Sequence, residues 1–115
     1  MAIQSNLIID QGSKFETITT IQNDDGTPYD LTGKTPYAQM RKSYYTSTAI
    51  NITATVEGDP LNGQIKLTLI PSLTNSIKAG RYVYDVEVHD DVDTENVKRI
   101  MQGIITISPN VTKTP

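Results

Sequence analysis

The sequence contains no cysteine among its 115 residues and only one histidine. The absence of cysteine excludes a disulfide scaffold, a thiolate zinc site and a cysteine nucleophile. A single histidine leaves most pairs of nucleophile and base without members, and neither a glycine-rich phosphate loop nor a His-Glu-X-X-His motif is present. We therefore expect no catalytic residue, no cofactor and no bound metal, and we expect that the protein is not an enzyme.

Long apolar runs and an excess of positive charge are also missing. The longest uninterrupted apolar runs are short, such as Leu7-Ile8-Ile9, and cannot span a membrane. The first residues lack the basic region and apolar stretch of a signal peptide. The net charge of −3 gives a field of the wrong sign for nucleic acid or an anionic membrane, so we expect neither as a partner.

The sequence does contain many β-branched residues in segments that alternate between apolar and polar. Gly, Pro, Asn and Asp separate these segments at intervals of about ten residues, which is typical of all-β proteins. The length fits one domain, which we place at residues 1–108, followed by a polar tail at 109–115 that we expect to become ordered on assembly. We predict seven strands, near residues 5–10, 14–22, 35–42, 49–57, 63–70, 80–89 and 97–107.

Seven short strands with crossing connections predict an all-β fold, an immunoglobulin-like antiparallel β-sandwich, with a small β-barrel as the alternative. A glycine bend before Tyr82 is typical of a tyrosine corner, in which the tyrosine hydroxyl caps a nearby backbone group. Residues 71–77 predict a helical turn that crosses between the sheets. Gly103 predicts a β-bulge, because the apolar phase slips between Ile100 and Ile105.

Alternation also predicts which side chains form the core. The candidates are Ile18, Leu31, Ala38, Met40, Ile52, Ala54, Val56, Ile65, Leu67, Leu69, Tyr82, Tyr84, Val86, Val88, Ile100, Ile105 and Ile107.

The only histidine lies in the stretch GRYVYDVEVHDDVD, residues 80–93. Asp85, Glu87 and His89 share one face of the predicted strand and could ligate zinc or act as acid and base. The same pattern is typical of a half-solvated strand, which is the interpretation that we favour. In that case Glu87 faces Arg99 on the returning strand as a cross-strand ion pair.

Acidic residues also cluster at positions 24, 25, 30 and 90–95. A loose two-loop calcium site is one hypothesis, although the EF-hand register fails at Ile21 and Thr32. The alternative, which we favour, is that these aspartates bind the backbone of their own turns.

A predicted loop between two strands combines basic and aromatic residues in Arg41, Lys42, Tyr44 and Tyr45. Exposed tyrosines can stack on sugars or anchor a protein interface, so we take these four residues as the candidate partner-binding site. The alternative is that one tyrosine folds back over the core.

Six segments together resemble a known family. They are NLIIDQGS (6–13), DLTGKT (30–35), AQMRKSYY (38–45), GQIKLTL (63–69), GRYVYDV (80–86) and QGIITISP (102–109) followed by Val111-Thr112. Their order resembles small immunoglobulin-like virion proteins of contractile-tailed bacteriophages, notably of cyanophages, and more distantly the N-terminal domain of baseplate upper proteins. Two residues depart from that pattern: Gln102 stands in place of an acid, and Pro36 suggests a strand that begins late or lies on an edge.

The resemblance implies a structural protein of the virion, assembled in the cytoplasm of the host bacterium. Its expected partners are other capsid, neck, tail or baseplate proteins, and a homo-oligomer is compatible with particle symmetry. An alternative function is a carbohydrate-binding or host-adhesion module on the virion surface, which would bind a host glycan through Tyr44 and Tyr45.

Overall fold

The computed structural model describes residues 2–112 and contains eight strands and two short helices within them. In chain order these are β1 (Ile3–Gln4), β2 (Leu7–Asp10), β3 (Phe15–Thr20), β4 (Lys34–Arg41), β5 (Ile50–Val56), a 3₁₀ turn (Pro60–Asn62), β6 (Gln64–Leu69), α1 (Pro71–Ser76), β7 (Gly80–Asp90) and β8 (Val97–Ser108).

The strands form one curled sheet in the order β1-β8-β7-β4-β5-β6-β3, with β2 also paired to β8. β5 belongs to both halves of this sheet, because residues 50–52 pair with β4 and residues 53–56 pair with β6. All pairs are antiparallel except those of β1 and β2 with β8, which are parallel. The front half, β1, β2, β8, β7 and β4, packs against the back half, β6 and β3.

This arrangement confirms the immunoglobulin-like sandwich over the barrel. Within residues 2–112, β3 pairs only with β6 and β2 pairs only with β8, so the sheet is not closed. The predicted helical turn is confirmed as α1, which connects β6 in the back half to β7 in the front half. The first predicted strand, near residues 5–10, corresponds to β2, and β1 lies before it and was not predicted. Of the predicted tail, residues 113–115 lie outside the described residues.

The core lies between the two halves. Its buried apolar side chains are Ile9, Ile21, Leu31, Ala38, Met40, Ile52, Ile65, Leu67, Leu69, Ile77, Tyr82, Tyr84, Val86, Val88, Ile100, Met101, Ile105 and Ile107. Most of the predicted core is therefore confirmed.

Ile18 was predicted in the core, and this prediction is wrong: its side chain is 50% exposed. In β3, Phe15, Thr17 and Thr19 face inward and Ile18 faces solvent. Because successive side chains of a strand point to opposite faces, the inward phase set by Phe15 and continued by Ile21 excludes Ile18. Ala54 and Val56 are only partly buried against the core.

The predicted bulge exists but lies elsewhere in β8. Val86 pairs with Met101 and Glu87 pairs with Arg99, so Ile100 is the extra residue. Ile100 and Met101 are adjacent and both buried, which is how a bulge lets two neighbouring side chains point inward. Gly103 itself is in regular register opposite Tyr84.

Gly103 serves a different purpose, which is a close approach between β8 and the first residues of the chain. A Cβ atom there would lie 2.0 Å from the carbonyl oxygen of Ser5. The Ser5 amide donates to the Gln102 carbonyl at 2.9 Å, and the side-chain oxygen of Asn6 accepts from the Ile104 amide at 3.0 Å. These contacts continue the pairing with β8 across the gap between β1 and β2.

The tyrosine corner is confirmed. The hydroxyl of Tyr82 donates to the carbonyl of Lys78 at 2.6 Å, and that of Tyr84 donates to the carbonyl of Ser5 at 2.6 Å. Both rings are buried, so each tyrosine fills the core and satisfies a backbone group at its margin. Within residues 2–112, no helix has the length and apolar character needed to cross a membrane.

Candidate functional site

The front and back halves separate at a fork between β4 and β5. Residues 34–37 of β4 pair only with β7, and residues 53–56 of β5 pair only with β6, among the residues that the structure describes. The departure of β5 toward the back half causes the fork. It also explains why Ala54 and Val56 are less buried than their alternation predicts.

Pro36 lies on the free side of β4 in the fork. The strand begins at Lys34, before this proline, so it does not start late, and Pro36 is on a local edge, as the sequence suggested. A proline at this position removes one amide donor from the free side of the strand and leaves the ladder with β7 intact. Within sheets, proline is found almost only in such edge positions.

A groove of about 890 Å³ opens from the fork across the outer surface of the front half. Its floor at the fork is apolar and includes Ala38, Ile52 and Ala54. Apart from Pro36 and Val83, the rest is polar or aromatic, with side chains from β4, β5, β7, β8 and the loop after β4. We call this the front groove; its side chains beyond the floor include Tyr37, Gln39, Arg41, Tyr44, Asn51, Asp85, Glu87, His89 and Arg99.

One row of polar side chains crosses the front half from strand to strand. Strand register places Asn51 beside Gln39, Gln39 beside Asp85, and Asp85 beside Gln102, which is beside Gln4. The Gln39 amide nitrogen donates to the Asn51 side-chain oxygen at 2.9 Å. Gln102 donates to Gln4 at 3.4 Å. We call these five residues the polar row, and the first three line the front groove.

Two arginines flank the polar row and fix its orientation. Arg41 donates to Gln39 at 3.3 Å, and Arg99 donates to Gln102 at 3.2 Å. Arg99 also forms an ion pair with Asp85 at 3.4 Å between Nε and Oδ2. The predicted register of Glu87 opposite Arg99 is confirmed, but the ion pair goes to Asp85, so that part of the prediction is wrong. Glu87 contacts His89 instead.

Asp85 is the carboxylate most affected by its position on this face. Partial burial raises its pKa above the ordinary value, and the nearby Glu87 carboxylate raises it further, while Arg99 and Arg41 oppose both effects. The groove holds two acids, Asp85 and Glu87, and two arginines, Arg41 and Arg99. Their charges balance, so the groove offers hydrogen-bonding groups without a net charge.

His89 lies at the end of the same face, half exposed. Its Nε2 is 3.3 Å from Oε1 of Glu87, and its ring meets that of Tyr37 edge-on with centroids 4.6 Å apart. Thr35, the residue opposite His89, donates its hydroxyl proton to Asp91 instead. Residues 2–112 contain no group of three or more His, Asp or Glu side chains placed to hold a metal ion.

Three of the acidic turn residues, Asp25, Asp30 and Asp90, bind the backbone of their own turns, as the favoured hypothesis predicted. Asp25 accepts from Thr27, Asp30 from Thr32, and Asp90 from the amides of Val92 and Asp93. These hydrogen bonds lower the pKa values of the three carboxyls. The aspartates are therefore turn-forming residues with oxygen atoms already in use.

The four residues proposed for partner binding fall into two groups. Arg41 donates to the carbonyls of Thr46 and Ser47 at 2.8 and 2.9 Å, so it holds the loop after β4 in place. Lys42 lies over the ring of Tyr82, with Nζ 4.8 Å from the centroid. Both cations thus already contact their own chain.

Tyr44 and Tyr45 are the exposed pair, at 78% and 98%. Only Tyr44 of the two lines the front groove. Tyr37, 54% exposed, lines the groove as well and is absent from the predicted site. The alternation of Pro36 and Ala38 with Tyr37 and Gln39 was the available signal, because it places Tyr37 on the outward face.

The topology defines the class of the protein as an immunoglobulin-like β-sandwich. No protein-family model matches the chain, and no curated protein matches its sequence. It is similar in structure to AggA, the major subunit of aggregative adherence fimbriae type I of Escherichia coli, at 8% identity over 90% of this chain and 89% of that one, with a TM-score of 0.45.

Two further structures are comparably distant. The extracellular domain of the voltage-gated sodium channel β4 subunit is 13% identical over 94% of this chain and 93% of that one, with a TM-score of 0.40. Tim-1 is 14% identical over 99% of this chain and 100% of that one, with a TM-score of 0.41. At these values, none of the likenesses indicates what this chain does.

Proposed function

We propose that the chain is a non-enzymatic structural protein of a contractile-tailed bacteriophage particle, assembled in the host cytoplasm. In this role the sandwich binds other capsid, neck, tail or baseplate proteins. The sequence resemblance across residues 6–112 supports the virion as its location. The observation that carries the binding role is that the sheet ends on two open edges with exposed isoleucines.

The first open edge is β3. It pairs with β6 on one side only, within the described residues, and Ile18 is exposed on it. The second is β2, which pairs with β8 only, and where Ile8 is 73% exposed. An exposed edge presents unpaired amides and carbonyls, to which an extended segment of a partner can add as a further strand. The isoleucines give such a strand apolar contacts.

The proposal is tested by the composition of the particle. Mass spectrometry of purified virions of the encoding phage should detect the chain, and a reconstruction should place a neighbouring protein against β3 or β2. Absence of the chain from purified virions would refute the proposal.

Substitution on the edge sharpens this test. Ile18→Lys should reduce incorporation into particles, because a lysine on an edge opposes strand addition. Thr68→Lys is the matched control, since Thr68 is on the same outer face of the back half but in β6, which is paired on both sides. Equal incorporation of both variants would exclude β3 as the contact.

A further inference from the structure

We propose that the front groove binds a neutral oligosaccharide. The inference goes beyond the proposed structural role and does not depend on it, because it rests on the chemistry of the groove. Three properties of the groove carry it: fixed planar hydrogen-bonding groups, exposed tyrosine rings and balanced charge.

The hydrogen-bonding groups are fixed before any ligand arrives. Gln39 and Asn51 are bonded to each other, and Arg41 holds Gln39 from the other side. A side-chain amide carries two donors and an oxygen with two lone pairs, so each keeps unused capacity toward solvent. Sugar hydroxyls both donate and accept, and an array of amides, a carboxylate and guanidinium groups that is already bonded matches them at a reduced rotameric entropy cost.

The aromatic groups lie beside this array. Tyr37 and Tyr44 both line the groove and expose much of their rings. A tyrosine ring combines an apolar face with a polar tip, which suits a sugar ring with C–H groups on its faces and hydroxyls around its rim. From β5 to β8 the front half spans three strand spacings, about 14 Å, so the groove accommodates several linked sugars.

The charge balance of the groove and the short free stretch of β4 favour a neutral glycan over a charged polymer or a peptide strand. Asp85 and Glu87 balance Arg41 and Arg99, which gives no attraction for an acidic or a basic polymer. A peptide strand would need a continuous edge, but the free stretch of β4 is short and Pro36 interrupts its donors. A neutral glycan uses side chains and does not require that edge.

The experiment is an array of neutral and acidic bacterial surface oligosaccharides, probed with the protein displayed in many copies, since one module binds glycans weakly and avidity compensates. Binding to at least one neutral glycan is expected, confirmed by titration of the protein without multivalent display. Absence of neutral binding, or a clear preference for acidic glycans, would overturn the proposal.

Variants then locate the site. Tyr44→Ala should weaken binding to the neutral glycan by at least about tenfold, roughly the loss of one stacked ring, while Tyr44→Phe should retain most of it. Tyr45→Ala is the matched control, because Tyr45 is the neighbouring exposed tyrosine outside the groove, and it should bind as the parent does. Equal losses at both positions, or displacement of the glycan by an extended peptide library, would contradict the assignment.

Discussion

Two regions at the margin of the sheet differ in how their backbone groups are paired. One is the region where β8 meets the start of the chain, and the other is the fork between β4 and β5. At the first, Ser5 and Asn6 lie against Gly103, and Tyr84 binds the Ser5 carbonyl. At the fork, residues 34–37 and 53–56 each lose one neighbour. The first region satisfies backbone groups internally, while the second leaves them to solvent or a ligand.

The difference teaches where a binding surface arises in a sandwich of this kind. Side chains that complete backbone hydrogen bonds, such as those of Tyr82 and Tyr84, cannot also serve a partner. Where the strands separate, Ala54 on the floor is only partly buried, and the outward Gln39 and Asn51 bond to each other through their side chains. The groove is therefore a consequence of strand pairing as much as of residue type.

The largest effect is expected from Gly103→Ala, which disturbs the contact between β8 and the start of the chain. A Cβ atom 2.0 Å from the Ser5 oxygen forces the first strands away from β8, and we expect a loss of at least about 3 kcal/mol in unfolding free energy, measured in urea. Gly58→Asn is the control, because a Cβ atom at Gly58 meets nothing within 4 Å and asparagine tolerates its positive φ. A similar loss in both variants would contradict the close approach.

The next test makes the same change on either side of the fork. Ala38 is buried and paired on both sides, with Ile52 and Val86, so Ala38→Val should cost about 1–3 kcal/mol by overpacking. Ala54 lies in the fork with a neighbour on one side only, and Ala54→Val should change stability by less than about 0.5 kcal/mol. Thermal or urea unfolding compares the two; equal costs would mean that the fork is closed in solution.

Removing single hydroxyls gives a smaller effect. Tyr82→Phe and Tyr84→Phe should each lower stability by about 1 kcal/mol, because the carbonyls of Lys78 and Ser5 lose a partly buried donor. Tyr45→Phe should leave the urea midpoint unchanged, since that side chain is almost fully exposed. If all three variants have the same urea midpoint, the hydroxyls of Tyr82 and Tyr84 do not stabilise the fold.

The smallest expected effect is electrostatic and concerns how Asp85 in the front groove changes stability with pH. Partial burial raises the pKa of Asp85 above its ordinary value in the folded chain, so the stability falls as the pH rises from the unfolded pKa through the folded pKa. Asp85→Asn removes this loss. The variant and parent should be equally stable at about pH 3, with the variant gaining relative to the parent as the pH approaches 7. A variant that is less stable at neutral pH would show that the Arg99 ion pair outweighs burial.

Most of the fold could be predicted because alternation and turn residues act locally. Tyr82 with its glycine bend, the helical turn at 71–77 and the inward faces of β6 and β7 all follow from spacing. The phase of β3 could not be read from Ile18 alone, because threonines occupy the inward positions beside it. The bulge was misplaced because Ile100 and Met101 are both apolar, so the sequence does not show which one is extra.

The groove could be predicted only in part, since it depends on which neighbouring strands separate. Tyr44 and Tyr45 read as equivalent in sequence, and only the path of the loop places Tyr44 in the groove. Arg41 reads as a free cation, yet the carbonyls of Thr46 and Ser47 occupy it. The fork arises from long-range pairing of β5 with two partners, which no local pattern in residues 50–56 encodes.

The parallel pairing of β1 and β2 with β8 also sets an order of events during synthesis. Asn6 and Ile104 are 98 positions apart, so β1 and β2 have no strand to join until β8 has emerged from the ribosome. Such distant contacts are slow to form, and unpaired apolar strands are prone to aggregation meanwhile. The free stretch around Leu7, Ile8 and Ile9 is then the segment of a nascent chain that a chaperone would need to shield.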